Sequence, residues 1–280
     1  MIGELRSILK SNFGLHKSRL DCLCNILVGL VLVCSVNLSK LATTLGTGAN
    51  FASNYRRLQR FFGKVSLSDL LIAHVCLKLF KPTGKVVLIL DRTNWQFGKK
   101  PINILMLSIK CNDIAVPMLW DVLPKKGSSN CQERVALMRR FTQHFPSLEV
   151  ECLLMDREFI GDTWLQWLDA QGLRFIVRAK KNFIVGSYKD KNIAIKRCFN
   201  SINRKGRCLA KTRKIFGLHL WICGKRLDDG EILIPLSNKH RKTALDWYQK
   251  RWAIETLFGN LKTRGFRLED THITAQDKLK

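Results

Sequence analysis

Apolar positions in residues 1–80 recur at helical spacing with few strand signals, up to the break at Lys81-Pro82-Thr83-Gly84. The longest apolar stretch, Cys22 to Val36, is shorter than a bilayer span and is interrupted by Asn25, so it reads as a buried helix. Two further helices are expected around a Gly-bearing turn, at Leu38–Gly46 and Asn50–Phe62. From residue 85 the texture becomes α/β. Val86 to Leu90 is an uninterrupted apolar run, as in a strand covered on both faces, and it delivers Asp91 at its C-terminal end. Strands at 102–109 and 114–120 follow around the turn-like Cys111-Asn112-Asp113, then an amphipathic helix at 130–144. A second apolar strand, Val150 to Met155, ends on Asp156, before a helix at 162–171 and a strand at 173–178.

The order strand, strand, strand, helix, strand, helix, strand is that of an α/β, RNase H-like mixed sheet flanked by helices, in which the first strand lies beside the fourth. Four regions are expected: a helical region at 1–80, the first part of the RNase H-like domain at 81–178, a basic strand-rich insertion at 179–240, and a further helix with a truncated C-terminal part at 241–280.

Charge changes the picture. The chain carries 48 Lys+Arg against 22 Asp+Glu, a formal +26, which points to a polyanionic partner. Residues 1–80 carry +7, 81–173 carry +2, 174–226 carry +15 and 227–280 carry +2. The excess therefore avoids the segments that bear Asp91 and Asp156. In the N-terminal helices, Arg56, Arg57 and Arg60 beside Tyr55 fit a basic helix set into a DNA major groove, or equally a solvated face of a core helix. The ten Cys show one C-x-C and no C-x-x-C, and most sit among apolar neighbours, so they read as buried thiols of a reducing compartment. No signal peptide or membrane span is expected, and the location expected is the cytoplasm, at a bacterial nucleoid.

Asp91 and Asp156, at the carboxyl ends of neighbouring strands, would face the crevice where open α/β sheets hold ligands. A third element comes from a helix expected over 244–264, where Tyr248, Arg251, Glu255 and Lys262 fall within about 60° of one another at 100° per residue. An Arg251–Glu255 surface pair would explain part of that stripe equally well.

The spacing Tyr248-x2-Arg251-x3-Glu255-x6-Lys262 resembles the Y-R-E-K signature of DDE transposases of the insertion-sequence-four family. Leu88-Ile89-Leu90-Asp91-Arg92-Thr93-Asn94-Trp95 and Leu154-Met155-Asp156-Arg157-Glu158-Phe159 resemble that family's other blocks, in the same order. The resemblance implies that Asp91, Asp156 and Glu255 hold two divalent cations, usually Mg²⁺ with Mn²⁺ as substitute, as their hard oxygens allow. It implies cut-and-paste DNA transposition: water frees a 3′-hydroxyl at the element's end, and that hydroxyl closes a hairpin that is reopened before strand transfer. The implied partners are double-stranded DNA, as terminal inverted repeats and target, and a second copy of the chain assembled on it.

In the same resemblance Tyr248, Arg251 and Lys262 grip phosphates near the cleaved end, with Arg92 and Arg157 as further phosphate contacts or as charge balance for the acids. Between Asp156 and Glu255 lie 98 residues, more than a minimal fold needs, which is why an insertion is expected there. Its Phe183, Tyr188, Phe199, Phe216 and Trp221 interleave with bases; Trp221 is the candidate ring for an unstacked base, with packing inside the inserted strands as the alternative. The chain runs only 18 residues beyond Lys262, where relatives commonly continue with further helices. A truncated, catalytically silent DNA-binding repressor is therefore the second reading, and a non-specific nuclease the third.

Overall fold

The computed structural model describes residues 2–97, 100–186, 192–239 and 243–271. Tyr188 and the chain from His272 onward lie outside the described residues.

Five helices come first: α1 (Ile2–Asn12), α2 (Lys17–Val33), α3 (Leu38–Thr44), α4 (Phe51–Lys64) and α5 (Asp69–Phe80). Asparagines start two of them. The Asn37 side chain accepts from the backbone N–H groups of Ser39 and Lys40, and that of Asn50 from Ser53, which satisfies donors the helices leave open. The turn between α3 and α4 bends through Gly48 at φ +70°. Buried Asn54 pins it, donating to the carbonyls of Leu45 and Ala49 and accepting from the Thr47 hydroxyl. Leu20, Leu23, Ile26, Leu41, Leu58 and Phe61 make a core of their own for this region, and α5 carries contacts to the sheet through Ala73.

The sheet begins with β1 (Val86–Phe97), β2 (Lys100–Cys111) and β3 (Ile114–Val122). Then come α6 (Cys131–His144), β4 (Val150–Met155), α7 (Asp162–Ala170) and β5 (Phe175–Arg178). A capping box of Asn130 and Glu133 starts α6. β1 is antiparallel to β2 and parallel to β4, giving the order β3-β2-β1-β4-β5, with β4 parallel to β5. This is the large mixed sheet that the element order predicts, flanked by helices in an RNase H-like manner.

The parity of β1 explains both its composition and the site it builds. Val86, Leu88 and Leu90 pack with Leu137 and Phe141 of α6 and Trp164 and Leu165 of α7. Val87 and Ile89 pack on the other face with Cys152 and Leu154 of β4 and with Tyr248 and Ile254. Both faces are covered, so an unbroken apolar run is required. Asp91 continues the odd series and Asp156 the series of Cys152 and Leu154. Both carboxylates are thus sent to the face on which Tyr248 and Ile254 lie.

Three features differ from expectation. β1 does not end at Asp91: its pairing with β4 ends at Leu90↔Met155, but its pairing with β2 runs on to Phe97↔Lys100. Asp91 therefore sits where one edge of β1 falls open.

The second difference concerns residues 179–240. They contain the ribbon β6 (Ile184–Gly186) and β7 (Asn192–Ala194), then β8 (Arg207–Cys208), β9 (Arg213–Ile215), β10 (Leu218–Arg226), β11 (Ile232–Leu233) and β12 (Pro235–Ser237). There β12 pairs with β5, and β10 with β12, so the segment extends the main sheet. Third, Cys208 and Cys223 are register partners on β8 and β10 and form a disulfide, because direct cross-strand pairing brings their sulfurs together. The expectation of thiols alone is corrected at this pair.

The expected helix over 244–264 is two: α8 (Ala244–Gln249) and α9 (Trp252–Leu261). Between them the N–H groups of Lys250 and Arg251 bond back three residues, to Trp247 and Tyr248 carbonyls, a tightened 3₁₀ step. Among the described residues no single helix is long and apolar enough to cross a bilayer.

Candidate active site

Asp91 and Asp156 follow directly on the register pair Leu90↔Met155, so the two acids are neighbours at the open edge between β1 and β4. α8 and α9 lie over them and contribute three side chains. The Tyr248 hydroxyl donates to Asp156 Oδ1 at 3.3 Å. Arg251 Nη1 donates to Asp91 Oδ2 at 2.7 Å, while its Nη2 pairs with Glu255 Oε1. One guanidinium thus spans two of the three candidate carboxylates. It lies 5.6 Å from the Tyr248 ring centroid, in cation–π contact.

Burial sets the electrostatics. Arg251 is 3% exposed and Tyr248 1%, whereas the Glu255 side chain is 55% exposed. Desolvation raises the Asp91 carboxyl from its usual 3.8 to about 6, against the lowering pull of Arg251 and of the Arg92 backbone N–H; neighbouring Asp156 and Glu158 add to the rise. Burial also pushes the Tyr248 phenol up, so it stays a protonated donor. For Arg251 desolvation acts downward, yet the surrounding Tyr248, Asp91, Asp156 and Glu255 outweigh it and hold the guanidinium charged.

The donors suit a hard divalent ion in kind: three carboxylates, with no His or Cys among their described contacts. Among the described residues no three such side chains stand close enough to share an ion, and Arg251 occupies the space between Asp91 and Glu255. Residues 82–280 match the family model for the transposase DDE domain, which is more than half of the chain. The chain belongs to the DDE transposase family.

Among solved structures, this member of the family is similar to the piggyBac transposase of a synaptic complex with hairpin DNA, with a TM-score of 0.51 and 10% identity over 88% of this chain and 59% of that one. At that identity the likeness shows the fold, and the chain spans 59% of that relative's length. The catalytic domain of human endonuclease V matches with a TM-score of 0.37 and 10% identity over 72% of this chain and 87% of that one. Endonuclease V of Ciona intestinalis matches at 0.35 and 15% over 60% and 77%. No curated protein matches the sequence.

Elsewhere in the chain the expected contacts divide. Lys262 leaves the stripe because α9 ends at Leu261; its ammonium donates to the Asn94 carbonyl at 2.8 Å and pairs with Glu269 at 3.3 Å. Arg92 forks onto Glu158 and also donates to Asn103, which in turn donates to the carbonyls of Lys125 and Gly127. That network fixes the loop after β3. Arg157, by contrast, is exposed. Trp221 stands half-buried on β10 opposite Ser237, within the extended sheet.

Arg56 and Arg60 are exposed on α4, and Arg57 is half-buried against Cys22. Arg57 and Arg60 join Ser18 and Arg19 of α2 and Lys64 in lining a cleft of about 380 Å³. Among the described residues none of its four cations has a carboxylate partner. Sequence reasoning missed Arg19 and Lys64. Lys64 continues the 57, 60 stripe by a further turn and could have been found; Arg19 comes from another helix and could not. Glu158, two residues beyond Asp156, was also missed as the anchor of Arg92.

Proposed function

We propose that this chain is a cut-and-paste DNA transposase of the insertion-sequence-four type, in which Asp91, Asp156 and Glu255 hold divalent cations, Mg²⁺ or Mn²⁺. The observation that carries the reading is that Asp91 and Asp156 are neighbours at the open edge between β1 and β4, with Glu255 of α9 linked to Asp91 through Arg251. Bound cations would polarise the scissile phosphate and lower the cost of generating the attacking oxygen. Tyr248 holds its proton and orients the Asp156 carboxylate, and Arg251 sets Asp91 relative to Glu255. The cleft of Arg19, Arg57, Arg60 and Lys64, together with Arg56, would grip duplex backbone, as would the +15 stretch of residues 174–226.

Arg157, exposed beside Asp156, is the further phosphate contact in this scheme; Trp221 is the ring proposed for an unstacked base. Lys262, tied to Asn94 and Glu269, would reach a phosphate only by exchanging those partners. The substrate class is double-stranded DNA carrying terminal repeats, opened through hairpin ends, with two copies of the chain on the DNA. Labelled duplex bearing the element's end, incubated with Mg²⁺ or with EDTA, tests the reading. Hairpinned ends in the Mg²⁺ arm alone are expected; tight binding without cleavage in either arm would overturn it.

A further inference from the structure

The disulfide between Cys208 and Cys223 ties down a strand with little else to hold it. β8 pairs with β10 only through Cys208↔Cys223 and Arg207↔Gly224, and one further bond runs from the Leu209 N–H to the Ile222 carbonyl at 2.9 Å. So short a ladder is weak without side-chain support. The turn ahead of it presses on α8. At Gly206, with φ +77°, a Cβ would stand 2.7 Å from both the Gly224 carbonyl oxygen and a methyl carbon of Leu245.

The two sulfurs differ in access. Cys223 is fully buried, whereas Cys208 is half-buried and lines an open pocket of about 390 Å³. Lys205, Arg207, Lys225 and Asp246 supply the charged lining, three cations against one acid. Among the described residues none of the three cations has a carboxylate partner. Arg207 donates to the Cys198 carbonyl at 3.0 Å and lies 6.0 Å from the Phe199 ring centroid, contacts that leave its charge uncompensated. Positive charge around a reachable disulfide sulfur draws in one class of reactant above others, a small thiol that carries negative charge of its own.

We infer that Cys208 and Cys223 form a thiol–disulfide exchange site selective for small anionic thiols, with Cys208 as the attacked sulfur and Cys223 as the resolving one. The thiol loses its proton to water, and its thiolate attacks Cys208 Sγ. The bond to Cys223 breaks, and its electron pair leaves with the Cys223 sulfur, which takes up a proton. The product is a mixed disulfide on Cys208. A second thiolate attacks the small molecule's sulfur in that bond, so that a small-molecule disulfide departs and Cys208 becomes a thiol. Two small thiols are oxidised, and the protein pair is reduced by two electrons. In the reverse direction Cys223, set opposite Cys208 by the strand register, expels the small thiol from the mixed disulfide and restores the bond. Reduction leaves the turn at 205–209 to the short β8 ladder and its contact with Leu245.

The test uses the full oxidised chain with its free thiols first blocked by N-ethylmaleimide. Mercaptoethanesulfonate, mercaptoethanol and cysteamine, which are anionic, neutral and cationic, are compared at equal thiolate concentration. Each rate is divided by that thiol's rate with a small uncharged disulfide, which removes intrinsic nucleophilicity. Mass spectrometry and peptide mapping follow the newly alkylated cysteines. At low salt the normalised rates should fall from sulfonate to alcohol to amine, roughly tenfold from end to end, and converge at about 0.5 M salt. Lys205→Gln/Lys225→Gln should flatten the series, and amide hydrogen exchange over residues 205–209 should quicken on reduction.

The disulfide of mercaptoethanesulfonate identifies the attacked sulfur. It should leave a stable adduct on Cys208 in Cys223→Ser, and none on Cys223 in Cys208→Ser. Rates indifferent to thiol charge, an adduct on Cys223, or alkylation of both cysteines before any reductant is added would overturn the inference. Should the double lysine variant fail to fold, the salt dependence of the native chain makes the same decision.

Discussion

The carboxylate cluster under α8 and α9 and the basic cleft between α2 and α4 treat positive charge in opposite ways. In the cluster Arg251 is spent on Asp91 and Glu255, Arg92 on Glu158 and Lys262 on Glu269. In the cleft Arg19, Arg57, Arg60 and Lys64 have no carboxylate partner among the described residues. A cation enclosed with acids organises a site, whereas exposed cations without acids leave their charge to an incoming polyanion. Cutting and gripping should accordingly be separable by mutation.

The largest separation is expected from Asp156→Ala, which removes a proposed metal ligand and none of the cleft's cations. Single-turnover cleavage should fall by at least about 10³-fold while duplex affinity changes by less than about twofold. A variant that lost both together would break the comparison. Next comes Arg92→Ala, which leaves the partly buried Glu158 carboxylate without its cation and removes the donor to Oδ1 of buried Asn103. Denaturant melts should show a loss of about 2–3 kcal/mol, with little change in DNA affinity, if Arg92 belongs to the scaffold and not to the grip.

The double variant Arg19→Ala/Arg60→Ala should do the reverse. Filter binding across a salt series is expected to show roughly tenfold weaker affinity and a salt slope shallower by about 2, with stability held within about 0.5 kcal/mol. The smallest effect is the pH response of Asp91. Because its folded carboxyl titrates near 6 and its unfolded one near 3.8, the folded chain binds more protons between those values. Its contribution to stability is therefore absent at pH 7.5 and grows as pH falls through 6. Chemical denaturation of the metal-free protein should gain about 1 kcal/mol from this group between pH 7.5 and 5, a gain that Asp91→Asn removes.

Much of the cluster was legible in the chain, because strands covered on both faces must be apolar throughout and their first polar residues mark where cover ends. Val86–Leu90 with Asp91 and Val150–Met155 with Asp156 carry that mark. The continuation of β1 was legible too, in buried Thr93 and Trp95 alternating with exposed Asn94 and Gln96, though the break at Asp91 masked it. The 3₁₀ step at Lys250–Arg251 was not, since both residues favour helix and only packing tightens the turn. Nor could spacing tell that Arg251 turns inward to the acids, or that β12 pairs with β5; these depend on partners distant in sequence. The basic cleft was half visible, as a stripe on α4 without the arginine that α2 adds.

The most direct test of the central claim places the metal itself. With Fe²⁺ in place of Mg²⁺ and ascorbate present, hydroxyl radicals generated at a bound ion cut the nearest backbone. The account predicts scission beside residues 91, 156 and 255, suppressed by excess Mg²⁺ and absent in Asp156→Ala. Scission confined to other segments, or undiminished in that variant, would contradict it.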